Sequence, residues 1–321
     1  MLNGFARPLT AVAILVLLAF IPFLLVRGCD LSRPDQVRLD GSSTVYPIAQ
    51  ALAEEFAHGR RVQVKVGISG TGGGFEKFCR GDIDIAAASR AITPAERETC
   101  ARKGITEILE FPVAIDAITV LVSQRNDFVQ CLSVDELANI FRDGGARTWR
   151  DVRPEWPDRP INLYHPGADS GTFDYFTEAV LEGGGRDFSH RTNGNASEDD
   201  NIIAVGVRED PYGIAYLGFA YYQEAGDSVR AVEIDNGDGC VVPTVATAQA
   251  GEYQPLTRTL YFYANEARLR DQPTLVEFFD FAYNELSEII EETGYINLPG
   301  DQLDAARQLV ARLAPAARPE E

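Results

Sequence analysis

Apolar and polar residues alternate with a period of two along residues 61–69 (RVQVKVGIS), which predicts a half-buried strand. Just upstream, Ile48, Leu52 and Phe56 recur every four residues within VYPIAQALAEEFAHG (45–59). That spacing draws one apolar face on a helix, opened by Pro47 and ended near Gly59. DIDIAAAS (82–89) and AITVLVS (117–123) are short, almost unbroken apolar runs and read as buried strands. SVDELANIFRDG (133–144) has Ser133 as a cap, Glu136 three residues on and a stop at Gly144. Residues 274–294 predict a long helix and 301–314 a second. Strand-type and helix-type segments thus alternate, the pattern of an α/β protein with mostly parallel sheets. Pro and Gly cluster over 143–171, where a domain boundary is tempting.

Three stretches outside this periodicity share one design: DGSSTVYP (40–47), SGTGGGF (69–75) and DSGTFDYF (169–176). Each places Ser, Thr and Gly directly before a helix-type segment. A helix start offers unpaired N–H groups and the positive end of the helix dipole. Hydroxyls added there make a place for an anion without any cationic side chain. A single such stretch is better explained by ordinary capping, but three together point to one converging site.

The glycine run excludes other chemistry. A P-loop requires a Lys-Ser/Thr pair, and Gly74 is followed by Phe75-Glu76-Lys77-Phe78. A dinucleotide fingerprint starts at Gly70 and Gly72 but meets Phe75 at its last position. GxSxG around Ser69 fails at Thr71. Asp169-Ser170-Gly171 has a superficial likeness to a serine nucleophile. However, His58, His165 and His190 carry no triad context and no metal-ligand spacing. No catalysis and no cofactor are expected.

Composition changes the picture only through charge. Against 29 Lys and Arg stand 48 Asp and Glu, a net −19, which argues against broad binding to nucleic acid or anionic lipid. A small anion site escapes this argument, because it is governed by local donors. At the N-terminus, Arg7 precedes an apolar run from Leu9 to Val26. Its length fits both a cleaved signal peptide and an uncleaved anchor over 1–28, and either exports the rest. Leu25-Val26-Arg27-Gly28-Cys29 has the form of a lipoprotein cleavage box, with Cys29 as the lipid-bearing residue and Arg27 as a departure from the usual small residue. Residues 29–36 form a polar spacer and 315–321 a tail. Four cysteines remain (Cys79, Cys100, Cys131 and Cys240), which in an exported chain point to two disulfides with three possible connectivities.

In order along the chain, DGSSTVYPIAQ, GISGTGGGFEKFCRGDIDIAAASRAI, FPVAIDAITVLV, YHPGADSGTFDYFTEAV and ASEDDNIIAVGV resemble the phosphate-binding protein (PstS) family of bacterial phosphate ABC transporters. The similarity runs from about Asp40 to Leu298. It implies the type II periplasmic-binding-protein fold: two α/β lobes, a hinge crossed twice, and an anion in the cleft between them. Lobe one then comprises 37–116 plus 257–314 and lobe two 117–256, so 143–171 becomes an insertion of loops within one lobe. Carried over by position, Ser43 or Thr44, Thr71 with the neighbouring Gly72 amide, and Ser170-Gly171-Thr172 donate to phosphate oxygens.

One departure stands out. The best-known branch of the family carries an Asp after the serine aligned with Ser89, where this chain has Arg90. That branch also has an arginine before its Ser-Gly-Thr loop, where this chain has His165-Pro166-Gly167. Arg90 is therefore the expected cation, with a role as a surface salt-bridge partner as the alternative. Asp116, at the first hinge crossing, is the expected acceptor of the phosphate proton, with Asp169 second; a structural role for Asp116, pairing Arg90 or capping a hinge turn, is the alternative. The same lobe assignment implies Cys79–Cys100 and Cys131–Cys240, since bridges within lobes leave the hinge free.

The implied function is an extracytoplasmic receptor that delivers inorganic phosphate to ABC permease subunits, a monomer tethered to the cytoplasmic membrane through its N-terminus. The alternatives are a receptor for sulfate, molybdate or a phosphonate, a tethered phosphate sensor, and a phosphatase on a related fold.

Overall fold

The structure, a computed structural model, describes residues 35–168 and 170–313. The leader or anchor, Cys29, Asp169 and the tail lie outside the described residues. Twelve strands are described, in chain order: β1 (Asp35–Gly41), β2 (Val62–Ile68), β3 (Ile85–Ala88), β4 (Ile108–Ser123), β5 (Cys131–Ser133), β6 (Asn162–Pro166), β7 (Asn195–Ser197), β8 (Gly213–Gly218), β9 (Val229–Ala231), β10 (Glu233–Asp235), β11 (Cys240–Val241) and β12 (Thr257–Asn265). Nine form a sheet of order β2-β1-β3-β12-β4-β8-β6-β7, with β9 also on β4; β11-β10-β5 form a small second sheet.

Several local readings hold. The period-two stretch is β2, and the four-residue spacing is the helix Tyr46–Ala57, which buries Ile48, Leu52 and Phe56. Ser133 and Glu136 form a reciprocal capping box on the helix Val134–Phe141. That helix ends before Gly144 because the chain turns back, with the Ala146 N–H donating to Asn139 O at 2.8 Å. The two C-terminal helices span Pro273–Glu292 and Gly300–Leu313.

AITVLVS is only the second half of β4, which is 16 residues long and begins before FPVAIDA. Its central and final residues are buried on both faces, so no alternation marks it in sequence. β4 divides its partners. As far as Ala117 it pairs with β12, and from Ile118 onward with β8 and β9. The cores divide in the same place. One core packs Leu39, Leu52, Phe56, Phe111, Ala117, Phe262 and Phe279 together; the other takes Ile118, Val120, Phe141, Trp149, Trp156, Phe176 and Leu256. These are two α/β lobes sharing adjacent strands, and the chain returns beside its first crossing, where the Ile118 N–H donates to Leu256 O at 2.9 Å. Trp149, Trp156, Ile161 and Leu163 place the Pro- and Gly-rich stretch inside the second core.

The cysteines are bonded Cys79–Cys100 and Cys131–Cys240. The first joins two neighbouring helices, Gly70–Arg80 and Pro94–Arg102; the second joins the two outer strands of the small sheet. No helix among the described residues is long and apolar enough to cross a membrane.

Candidate functional site

β1 ends at Gly41 and delivers Ser42, Ser43 and Thr44 to the point where the lobes meet. The close approach of strand and glycine run depends on bare Cα atoms. A Cβ on Gly74 would lie 2.7 Å from Gly41 Cα. Gly70 opens the helix Gly70–Arg80 with φ +74°, a conformation that glycine adopts without penalty. Asp40 fixes this arrangement. It accepts from Ser69 Oγ, at the entry to the helix, and from Lys77 Nζ, two turns in, at 2.6 Å. The glycine run is thereby clamped against the Ser-Ser-Thr loop.

Thr71 then reaches β3's end: its Oγ1 lies 3.1 Å from Ser89 Oγ and accepts the Ser89 N–H at 3.2 Å. From the other lobe comes Ser170-Gly171-Thr172. Ser170 Oγ accepts the Thr172 N–H at 3.2 Å, and Gly171 sits so close to Thr44 that a Cβ would lie 2.9 Å from Thr44 Oγ1. Ser43, Thr44, Thr71, Gly72, Ser89, Arg90 and Gly171 line one cavity of about 250 Å³, and Asp174, Glu178 and Arg258 are also in its wall. Ser170, Thr172 and Asp116 line an adjoining cavity of about 380 Å³ that shares Ser43, Thr44 and Gly171. Hydroxyls and amides from three separate stretches thus meet between the lobes, a donor-rich setting suited to a small oxyanion.

The charged residues are arranged differently from the sequence expectation. Arg90 lines the cavity, yet its fork is bidentate on Glu96, with both N···O distances 2.9 Å. Glu96 is itself held in a capping box with Thr93. Asp116 does not pair with Arg90. β4 and β12 run antiparallel with Arg258 directly opposite Asp116, and Arg258 Nε donates to Asp116 Oδ2 at 3.1 Å. Burial pushes the Asp116 carboxyl upward and the Arg258 charge opposes this. Arg258 Nη2 donates to Thr44 Oγ1 at 3.0 Å, and its guanidinium stacks 3.7 Å above the Tyr175 ring. Sequence reading missed Arg258. It lies in QPLTRTLYFYA with no local signature, and its partner is 142 residues away, so only the strand register brings them together.

The family model for a PBP superfamily domain matches residues 31–285. The chain is 44% identical over 284 residues to protein SphX of Synechocystis sp., covering 86% of this chain and 83% of the relative. It is 39% identical over 266 residues to the phosphate-binding protein PstS of Staphylococcus saprophyticus, covering 82% and 81%. The chain belongs to the PstS family of the PBP superfamily. The crystal structure of a possible phosphate binding protein from Planctomyces limnophilus superposes with a TM-score of 0.81 at 41% identity, covering 88% of this chain and 99% of that one. The two-lobed periplasmic-binding-protein fold follows from the same relation.

Within this PstS-family chain, His165 supplies no exposed cation in front of the Ser-Gly-Thr loop. It is 5% exposed and packs at a tilt against His190, with ring centroids 4.6 Å apart. Each Nδ1 faces a backbone carbonyl, Pro166 O and Arg191 O, so each carries its proton there. His190 Nε2 meets Tyr216 OH at 3.2 Å, whereas His165 Nε2 has no partner among the described residues. Burial lowers both pKa values, that of His190 to about 4. Both rings are therefore neutral in the fold while the unfolded chain protonates them near 6.5. Their contribution to stability is full above that value and is lost as pH falls from about 6.5 towards about 4. Urea midpoints measured across this window are expected to fall in the wild type and to fall less steeply in His190→Phe.

Proposed function

We propose that the cleft binds inorganic phosphate and that the chain delivers it, outside the cytoplasmic membrane, to an ABC permease. The observation that carries this reading is the convergence of Ser43, Thr44, Thr71 and Gly171 on one small cavity between two lobes, in a chain related to phosphate-binding PstS proteins. Hydroxyls of Ser43, Thr44, Thr71, Ser170 and Thr172, with the amides of Gly72 and Gly171, donate to the oxygens. Arg90 and Asp116 act on the edge of the site through Glu96 and Arg258. The moving bodies are 37–116 plus 257–314 and 117–256; the separate cores and the two disulfides within them support this division. Phosphate enters the open cleft, engages one set of donors and draws the second lobe onto it. The chain works as a monomer without catalysis or cofactor and is tethered through its N-terminus, lipidated at Cys29. The disulfides suit an oxidising compartment.

Competition calorimetry with phosphate, sulfate, molybdate and a phosphonate tests the ligand. Phosphate is expected to bind most tightly, and tighter binding of another of these anions would replace it as the ligand.

A further inference from the structure

We infer that Arg258 is the cation of the anion site, supplying one guanidinium nitrogen to the bound anion and turning the Thr44 hydroxyl into a donor towards it. The inference rests on the receptor reading above and assigns the charge that reading needs. Two cations line the cavity among the described residues, Arg90 and Arg258. Both Nη atoms of Arg90 are taken by Glu96, and Nη1 also reaches the Ala91 carbonyl at 3.2 Å. The Arg90 side chain is 35% exposed, so water weakens its field.

Arg258 is held on three sides and open on one. Its side chain is 12% exposed. Asp116 fixes Nε, Thr44 fixes Nη2, and Tyr175 covers one face of the guanidinium. Nη1 makes no hydrogen bond among the described residues; it has only the Glu178 carboxylate at 3.8 Å, on a side chain that is 59% exposed. A planar fork fixed at two nitrogens, with the third beside a cavity, is preorganised for a charge-assisted bond to a tetrahedral oxyanion. A phosphate oxygen in that place displaces a solvent-facing carboxylate held by a long contact.

The Thr44 hydroxyl follows from the same geometry. Its oxygen accepts from Arg258, so its own hydrogen is free to point elsewhere, and Thr44 lines the cavity. The guanidinium also contacts Thr44 in one lobe and Tyr175 in the other, so a bound anion joins a contact that already spans the cleft.

The test is phosphate calorimetry on the full chain. Arg258→Gln alone strands Asp116 and can unfold the protein, so the decisive variant is Arg258→Gln with Asp116→Asn, which removes both charges of the pair together. Its affinity is expected to fall roughly tenfold to a hundredfold while the circular dichroism spectrum is unchanged. Glu178→Gln removes the competing carboxylate and is expected to raise affinity severalfold in the wild type but not in the double variant, whereas a direct effect of the Glu178 charge on the cavity it lines raises both alike. Wild-type binding with the folded double variant within threefold of it, or no gain from Glu178→Gln beyond that in the double variant, overturns the role of Arg258 and leaves the receptor reading standing. A wild type that takes no phosphate overturns the receptor reading itself, and this inference with it.

Discussion

Thr71→Asp is expected to abolish phosphate binding while the protein stays folded. Thr71 is the second residue of the helix Gly70–Arg80, and an acidic side chain in a first helical turn favours the helix. The substitution therefore keeps the helix and an acceptor for the Ser89 N–H, while it replaces a hydroxyl donor facing the cavity with a negative charge. Two like charges about 4 Å apart repel by about 4 kcal/mol at the effective dielectric of a partly exposed site. On that scale affinity falls by at least about a hundredfold. Thr71→Val separates charge from hydrogen bonding: it keeps the shape, loses the hydroxyl and its bonds with Ser89, and is expected to weaken binding by roughly tenfold. Calorimetry showing wild-type affinity in Thr71→Asp would remove Thr71 and the glycine run from the site.

Gly41→Ala carries the largest expected loss of stability. Gly41 has φ +146°, and a Cβ there would lie 2.0 Å from the Ala87 carbonyl oxygen and 2.9 Å from its carbon. Those atoms belong to β3, which pairs with β1 at this very step, and the same carbonyl accepts the Ser42 N–H at 3.0 Å. Backbone cannot swing aside as a flexible side chain does, so β1 and β3 must separate at the point that presents Ser42 to Thr44. A cost on the order of 3–5 kcal/mol is expected, combining strain with lost ladder bonds. Urea unfolding measures it directly, and a stability within about 1 kcal/mol of wild type would show that the strand end is softer than its contacts indicate.

The sequence disclosed what is decided locally. The period-two strand β2, the face Ile48–Leu52–Phe56 and the Ser133–Glu136 box each follow from neighbours a few residues apart. β4 was legible only in part, because a strand buried on both faces loses its alternation. The hydroxyl stretches were recognisable, and the structure brings Ser43, Thr44, Thr71 and Gly171 to one cavity, with Ser170 and Thr172 next door. The charges were legible only in part. Arg90 lines the cavity as expected and makes the salt bridge held as its alternative, but the identity of its partner and the place of Arg258 were not readable. Arg90 meets Glu96 through a Thr93–Glu96 capping box that fixes the acid just below the guanidinium. The Asp116–Arg258 pair depends on β4–β12 register, a tertiary fact with no trace in either segment.

Equilibrium dialysis of the purified, exhaustively dialysed protein against radiolabelled phosphate tests the central claim most directly. One phosphate bound per chain is expected, retained against a hundredfold excess of sulfate. No retained phosphate, or its displacement by sulfate, would contradict the assignment of this cleft as a phosphate site.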